Sequence, residues 1–139
     1  MRIAVLILSL GFFIVACKQE KKENEGPSQM EEVMAIHDEV MPKMGHIGEL
    51  IATLRPKIDT TATGKAYEKA MIDLQKANKT MMTWMKGFGD RFDSSEILEE
   101  KELSPEKQVR LNEEEVKVKA LRDQINTSIT NAEQLLGAE

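Results

Sequence analysis

Apolar residues recur at every third or fourth position between residues 30 and 58 of this chain. Strict alternation of three and four is a heptad pattern, which places one apolar stripe along one side of an α-helix. The residues of this first stripe are Met30, Val33, His37, Val40, Met44, Ile47, Ile51, Leu54 and Ile58. The pattern predicts an all-α protein in which this helical segment packs along its neighbours.

Pro42 interrupts the first helical segment. Its ring leaves no backbone N–H and crowds the carbonyl group of Asp38, so we expect a kink or a break near Met41. Ser28 is expected to cap the start of the segment, and Pro56 limits its far end.

A second helical segment is expected over residues 65–86. The polar sequence DTTATG at 59–64 predicts a short turn before it. Gly87 and Gly89 can supply the left-handed residue that ends a helix. The expected stripe of the second helix is Tyr67, Met71, Leu74, Asn78, Met81, Met85 and Phe88.

A third helix is expected to begin with Ser104 as its cap and Pro105 in its first turn, and to end at Gly137. One turn of helix or more is expected after Ser94 or Ser95, in the connection that precedes the third helix. The stripe of the third helix is Leu111, Val118, Leu121, Ile125, Ala132 and Leu135. Residues 29–139 are therefore predicted to form an antiparallel three-helix bundle, made of a long kinked helical hairpin and a third helix. A hairpin with a loosely docked third helix is the alternative.

The N-terminus combines a basic residue, a short apolar run and a cysteine. Arg2 precedes an apolar run at 3–14, which is too short for a comfortable membrane span. The sequence IVAC at 14–17 resembles the lipobox of bacterial lipoproteins. The resemblance implies a signal peptide at 1–16 that is removed, and acyl chains on Cys17 that anchor the chain to a membrane. A plain secretory signal or an uncleaved N-terminal anchor is the alternative.

Residues 17–28 are expected to form the lipidated cysteine and a flexible tether. The sequence KQEKKENEGPS at 18–28 has no apolar residue except Pro27, so burial cannot offset the entropy of ordering it. Lys18 follows the cysteine where an inner-membrane retention signal would have Asp. The outer membrane is therefore favoured, with its periplasmic or surface face left open.

The charge balance excludes several kinds of partner. Loss of Arg2 with the signal peptide leaves 18 Lys and Arg residues against 24 Asp and Glu residues, a net charge of −6. This acidic balance argues against nucleic acid and against electrostatic binding to anionic lipids. Cys17 is the single cysteine, so the chain cannot form an intramolecular disulfide.

Methionines and both histidines gather around the first helical segment, in the sequence MAIHDEVMPKMGHIGEL at 34–50. Antiparallel pairing about a turn near Thr61 would bring this stretch level with the methionines of the second helix. Thioethers and imidazole are ligands that suit Cu(I), which makes copper the alternative cofactor. The candidate ligands are His37, Met41, Met44, Met81, Met82 and Met85. Methionine is also a flexible filler of irregular cores, and core packing with no metal is the favoured interpretation.

Trp84 is a candidate interaction residue, because an exposed Trp would indicate a partner or a membrane interface. It falls between the positions of the expected stripe, so we expect it at the edge of the bundle. A position at the margin of the core is slightly favoured over a docking site.

The sequence contains no motif of an enzyme: no HExxH, no nucleophile with a positioned base and no glycine-rich phosphate loop. HDEVMPKM at 37–44 together with MMTWM at 81–85 resembles a group of small Gram-negative lipoproteins of unknown function, sometimes labelled "viral A-type inclusion protein". The resemblance implies a lipid-anchored helical protein and brings no established active site.

The favoured function is therefore a non-enzymatic structural or protein-interaction role in the cell envelope, through a protein partner or self-association. Copper binding or handling is the alternative. A small apolar ligand held between kinked helices is a third interpretation.

Overall fold

The computed structural model describes residues 26–99 and 101–137, and this part of the chain is helical and contains no strand. The helices are α1 (Gln29–Val40), α2 (Lys43–Leu54), α3 (Ala62–Arg91), α4 (Ser94–Leu98) and α5 (Pro105–Gly137), and a short 3-10 turn covers Arg55–Lys57. The expectation of an all-α protein is confirmed for the described residues. The signal peptide predicted at 1–16, Cys17 and most of the tether lie outside them. No helix formed by the described residues is long and apolar enough to cross a membrane.

The caps predicted for the first and last long helices are present. The backbone N–H of Glu31 donates to the Ser28 hydroxyl at 3.2 Å, and the Ser28 N–H donates to the Glu31 carboxylate at 2.5 Å. This reciprocal arrangement satisfies two backbone donors at the start of α1. At the start of α5, the backbone N–H of Lys107 donates to the Ser104 hydroxyl at 3.3 Å, with Pro105 as the first helical residue.

The expected interruption at Pro42 is confirmed. α1 ends at Val40, α2 begins at Lys43, and the N–H of Met41 still donates to the carbonyl oxygen of His37 at 2.9 Å. Pro42 has no N–H to continue this ladder. The two helices that result have different neighbours: α1 packs mainly against α5, whereas α2 packs mainly against α3.

The turn between α2 and α3 is built on Asp59. Its Oδ1 accepts from the backbone N–H of Thr61 at 2.9 Å, and the Thr61 hydroxyl accepts from the N–H of Gly64 at 3.0 Å. A Cβ at Gly64 would lie 1.9 Å from Asp59 Oδ1 and 2.5 Å from its backbone nitrogen, so the turn requires glycine here. Thr61 caps α3, which therefore begins at Ala62, earlier than predicted.

The predicted end of the second long helix is wrong. α3 continues through Gly87 and Gly89 to Arg91, and neither glycine takes the left-handed conformation that ends a helix. The rings of Trp84 and Phe88 stack with centroids 5.0 Å apart, and the ring of Phe88 lies 4.9 Å from that of Phe92. These contacts at four-residue spacing hold the extra turn, because residues i and i+4 lie on one side of a helix.

The stripe predicted for α3 is correct at four positions and wrong at others. Its buried residues are Gly64, Tyr67, Ala70, Leu74, Ala77, Met81, Trp84 and Phe88. Asn78, predicted in the stripe, is exposed, while Met71 and Met85 are half-buried at its flank. The predicted stripe and the observed one both contain the heptad position of Tyr67. They differ in the second position of the heptad, which lies one residue earlier in the structure than predicted. The smaller Ala70 and Ala77 occupy the centre of the face.

Hydrogen bonds between the long helices fix their register. Gln29 at the start of α1 donates to Asn112 near the start of α5 at 3.0 Å, and Lys43 on α2 donates to Asn126 on α5 at 2.7 Å. On the other side of α5, Arg91 at the end of α3 donates to Glu113 at 2.7 Å. The start of α5 therefore lies beside both the start of α1 and the end of α3.

Candidate functional site

Two concave regions meet at Trp84, and each of them could hold a ligand or a partner. The α1–α3 cavity, of about 220 Å³, is lined by Met34, His37, Trp84, Met85, Phe88, Gly89 and Ile97. The α3–α5 groove, of about 490 Å³, is lined by Thr80, Thr83, Trp84, Gly87, Arg91, Glu114, Lys117, Ala120, Leu121 and Gln124. Trp84 is the side chain common to both.

The structure does not bring the predicted Cu(I) ligands together as one set. Of the candidates, His37 and Met85 line the α1–α3 cavity. Met81 is fully buried in the core, and the adjacent Met82 is 45% exposed, because neighbouring residues on a helix point in different directions. The other two candidates, which are half-buried against the core away from this cavity, are Met41 and Met44.

Met34, which was not among the predicted ligands, also lines the α1–α3 cavity. It precedes His37 by three residues, so both side chains lie on one side of α1. This spacing was a signal in the sequence. It was missed because the predicted stripe of the first helical segment ran through Val33 and His37.

His37 is the one titratable side chain among the described residues that line this cavity. Its side chain is 17% exposed, and its Nδ1 lies 2.8 Å from Oδ1 of Asp38. Because a carboxylate oxygen accepts hydrogen bonds, this contact places a proton on Nδ1 and leaves the lone pair of a neutral imidazole on Nε2. The His37 ring also lies 6.0 Å from the Trp84 ring, between centroids.

α4, in the connection after α3, borders the α1–α3 cavity. Ile97 on α4 lines the cavity. Glu96 on the same helix accepts a hydrogen bond from Lys107 of α5 at 2.5 Å. This bond and a second one from the backbone of Asp93 lower the pKa of Glu96. The bond from Lys107 ties α4 to α5, whereas the bond from Asp93 belongs to the cap of α4 itself.

His46, the second histidine, has separate partners on the surface. Its Nε2 lies 2.8 Å from a carboxylate oxygen of Glu133 on α5, and its Nδ1 lies 3.4 Å from one of Glu49. Hydrogen bonds to Glu133 first, and then to Glu49, raise the pKa of His46 above its ordinary value. The side chain therefore acts as a surface link between α2 and α5.

Glu114 is a buried charge at the end of the α3–α5 groove, and the sequence analysis did not identify it. Its side chain is 3% exposed, and its carboxylate lies 2.9 Å from Lys117 Nζ and 3.1 Å from Arg91 Nη1. The predicted stripe of the third helix jumps from Leu111 to Val118, which leaves one core-facing position between them for Glu114. This gap in the predicted stripe was the signal in the sequence for a buried residue at position 114.

Trp84 lies in the core, with 7% of its surface exposed. Its indole Nε1 is buried and has no hydrogen-bond partner among the residues that the structure describes. A buried donor without a partner costs about 1–3 kcal/mol, so this position carries an indole at a cost that phenylalanine would avoid. Trp84 therefore forms the wall between the cavity and the groove, and does not protrude from the bundle.

No family model matches the sequence, and the comparisons with curated proteins and with solved structures found no match. Within residues 26–99 and 101–137, no three side chains drawn from His, Cys, Asp and Glu come together in a group that could hold a metal ion. The resemblance to the small Gram-negative lipoproteins stays a prediction.

Proposed function

We propose that this chain is a lipid-anchored protein of the cell envelope, carried on the outer membrane, whose helical domain binds another protein and catalyses no reaction. The anchoring part of the proposal rests on the sequence IVAC at 14–17 and on the polar stretch at 18–28 that follows it. Acylation of Cys17 would provide the several acyl chains that stable attachment needs.

We infer that the domain is an antiparallel three-helix bundle, made of the kinked α1–α2 segment, α3 and α5. The hydrogen bonds from Gln29 to Asn112 and from Lys43 to Asn126 support a parallel course for the first and last of these members. The bond between Arg91 and Glu113 supports an opposite course for α3. Short connections between antiparallel neighbours are usual in such bundles.

The α3–α5 groove is the observation that carries the binding role. Its floor contains the apolar side chains of Trp84 and Leu121, and the small residues Gly87 and Ala120 keep it open. Along α3 it extends from Thr80 to Arg91, which is about 16 Å at 1.5 Å per residue. That length matches about three turns of a partner helix with an apolar face. A second copy of this chain is the alternative occupant.

Site-specific photo-crosslinking tests the groove. A photo-reactive residue at Thr83, which lines the groove, should give a crosslinked product in the envelope of living cells. Asn78 is the matched control, since it is exposed on the same helix but ~140° away around its axis. Equal products from both positions, or none from Thr83, would contradict the proposal. A product with twice the mass of the chain would identify self-association.

Cys17→Ser tests the anchor. The substitution should abolish metabolic labelling with a radioactive fatty acid and move the protein from the detergent phase to the aqueous phase. Retention of both properties in the Cys17→Ser chain would refute the assignment as a lipoprotein.

A further inference from the structure

We propose that the α1–α3 cavity is a Cu(I) site, in which the thioether sulfurs of Met34 and Met85 and Nε2 of His37 are the ligands. This inference goes beyond the protein-binding role, and its three ligands are side chains that do not line the α3–α5 groove. It also differs from the ligand set expected from the sequence, of which only His37 and Met85 are retained.

The first support is the chemistry of the donors. Met34 and His37 come from α1, and Met85 comes from α3, so the three donors approach one cavity from two helices. Thioether sulfur is a soft ligand that selects Cu(I), and imidazole also binds copper. Calcium and magnesium prefer oxygen ligands, and no carboxylate lines this cavity.

The second support is the orientation of His37. Its Nδ1 is held by the Asp38 carboxylate at 2.8 Å, which leaves Nε2 with the lone pair that a metal needs. A carboxylate that fixes the tautomer and the direction of a histidine is the usual outer partner of a metal-binding imidazole. Asp38 is exposed and adjacent in sequence, so it can act in this way without entering the cavity.

The third support is Trp84. Indole is the aromatic side chain that interacts best with a cation held over its face. The Trp84 ring lies beside the His37 ring, at 6.0 Å between centroids, and also lines the cavity. A bound Cu(I) would give a reason for an indole here, where its buried N–H has no partner within residues 26–99 and 101–137 and phenylalanine would fill much of the same space.

The test is a titration with Cu(I) itself, kept reduced by ascorbate, against a chromogenic Cu(I) chelator. Every variant is made in the full-length chain with Cys17→Ser, because a free thiol would also bind Cu(I). The unsubstituted site should retain one Cu(I) per chain against the chelator. Met34→Leu, Met85→Leu and His37→Gln should each weaken the affinity for Cu(I) by at least ~10-fold. That is the smallest loss expected when a residue that only supports a ligand is replaced, so loss of a ligand itself should cost at least as much.

Met44→Leu is the matched control. Met44 is half-buried like Met34 and Met85 but does not line the cavity, so its replacement should leave the affinity for Cu(I) unchanged. Methionine and leucine have similar volumes, so all three Met→Leu chains should keep the helical circular dichroism spectrum of the unsubstituted chain. If a Met→Leu chain keeps its fold but loses affinity for Cu(I), the loss is due to the missing thioether sulfur.

Two further measurements report on the neighbours of the metal. Trp84 is the single tryptophan, so bound Cu(I) should quench the tryptophan fluorescence of the chain at one equivalent. Asp38→Asn should weaken the affinity by ~10-fold while the three ligands remain. The proposal is overturned if the unsubstituted chain loses Cu(I) to the chelator, if binding survives all three ligand substitutions, or if Met44→Leu reduces it equally.

Discussion

α3 meets α2 and α1 in different ways, although both of those helices belong to the same segment of chain. α2 packs directly on α3, and the fully buried Leu54, Leu74 and Ala77 belong to this part of the core. α1 lies mainly against α5, and the space between it and α3 holds Trp84 and a cavity of about 220 Å³. The α2–α3 part is closely packed, whereas the α1–α3 part contains a space.

The difference can be followed at a single heptad position of α3. Residues 70, 77 and 84 are seven apart and all buried, and they are Ala, Ala and Trp in that order. Alanine lets two helix backbones approach, whereas an indole keeps them apart. Pro42 interrupts the facing segment between its α1 and α2 halves, so α1 is free to follow α5. The α1–α3 cavity therefore lies where the position becomes Trp.

The largest expected effect is the loss of packing in the α2–α3 part. Leu54→Ala should reduce the free energy of unfolding by about 2–5 kcal/mol, because it leaves a void in a fully buried position. Met34→Ala should cost only about 1 kcal/mol, since Met34 is half-buried beside a space that already exists. Urea denaturation followed by circular dichroism measures both. Equal losses would show that the two parts are packed alike.

Two glycines of α3 should respond in opposite directions. Gly64→Ala should destabilise the protein by about 1–3 kcal/mol, because its Cβ would collide with Asp59 at the tight α2–α3 turn. Gly87→Ala should stabilise it by about 0.5–1 kcal/mol, since its Cβ meets nothing within 4 Å and alanine favours a helix interior. Thermal unfolding of the two variants provides the measurement. A destabilised Gly87→Ala chain would mean that α3 ends before this residue.

The smallest expected effect is the pH dependence of the link that His46 makes between α2 and α5. Its carboxylate partners raise its pKa above the ordinary 6.5. The stabilisation is therefore complete below pH 6.5 and is lost as the pH rises through the higher pKa of the folded protein. His46→Asn should lower the free energy of unfolding by under about 1 kcal/mol at low pH, because the pair is exposed, and by less at high pH.

Urea unfolding of the unsubstituted chain and of the His46→Asn chain, each at about pH 6 and at about pH 8, measures this pH-dependent difference in stability. A stability difference for His46→Asn that grows with pH would contradict the assigned direction of the pKa.

The sequence by itself determined the features that depend on near neighbours in the chain. Ser28 with Glu31, Ser104 with Pro105, and the interruption at Pro42 each act over four residues or fewer, so their effect on the backbone is encoded locally. The heptad repeats also fixed the all-α class, because a stripe of that period can be buried only along a helix.

The tertiary structure alone decided which faces of these helices were buried and which side chains met. Two heptads were available on α3, and the neighbouring helices selected the one containing Ala77 and Trp84 over the one containing Asn78. The same packing buried Glu114 on α5 and brought Met34 and Met85 into the lining of one cavity. Burial depends on how the surfaces of several helices fit together. The periodicity of one helix predicts that it has a buried face, but it does not decide between two adjacent positions for the centre of that face.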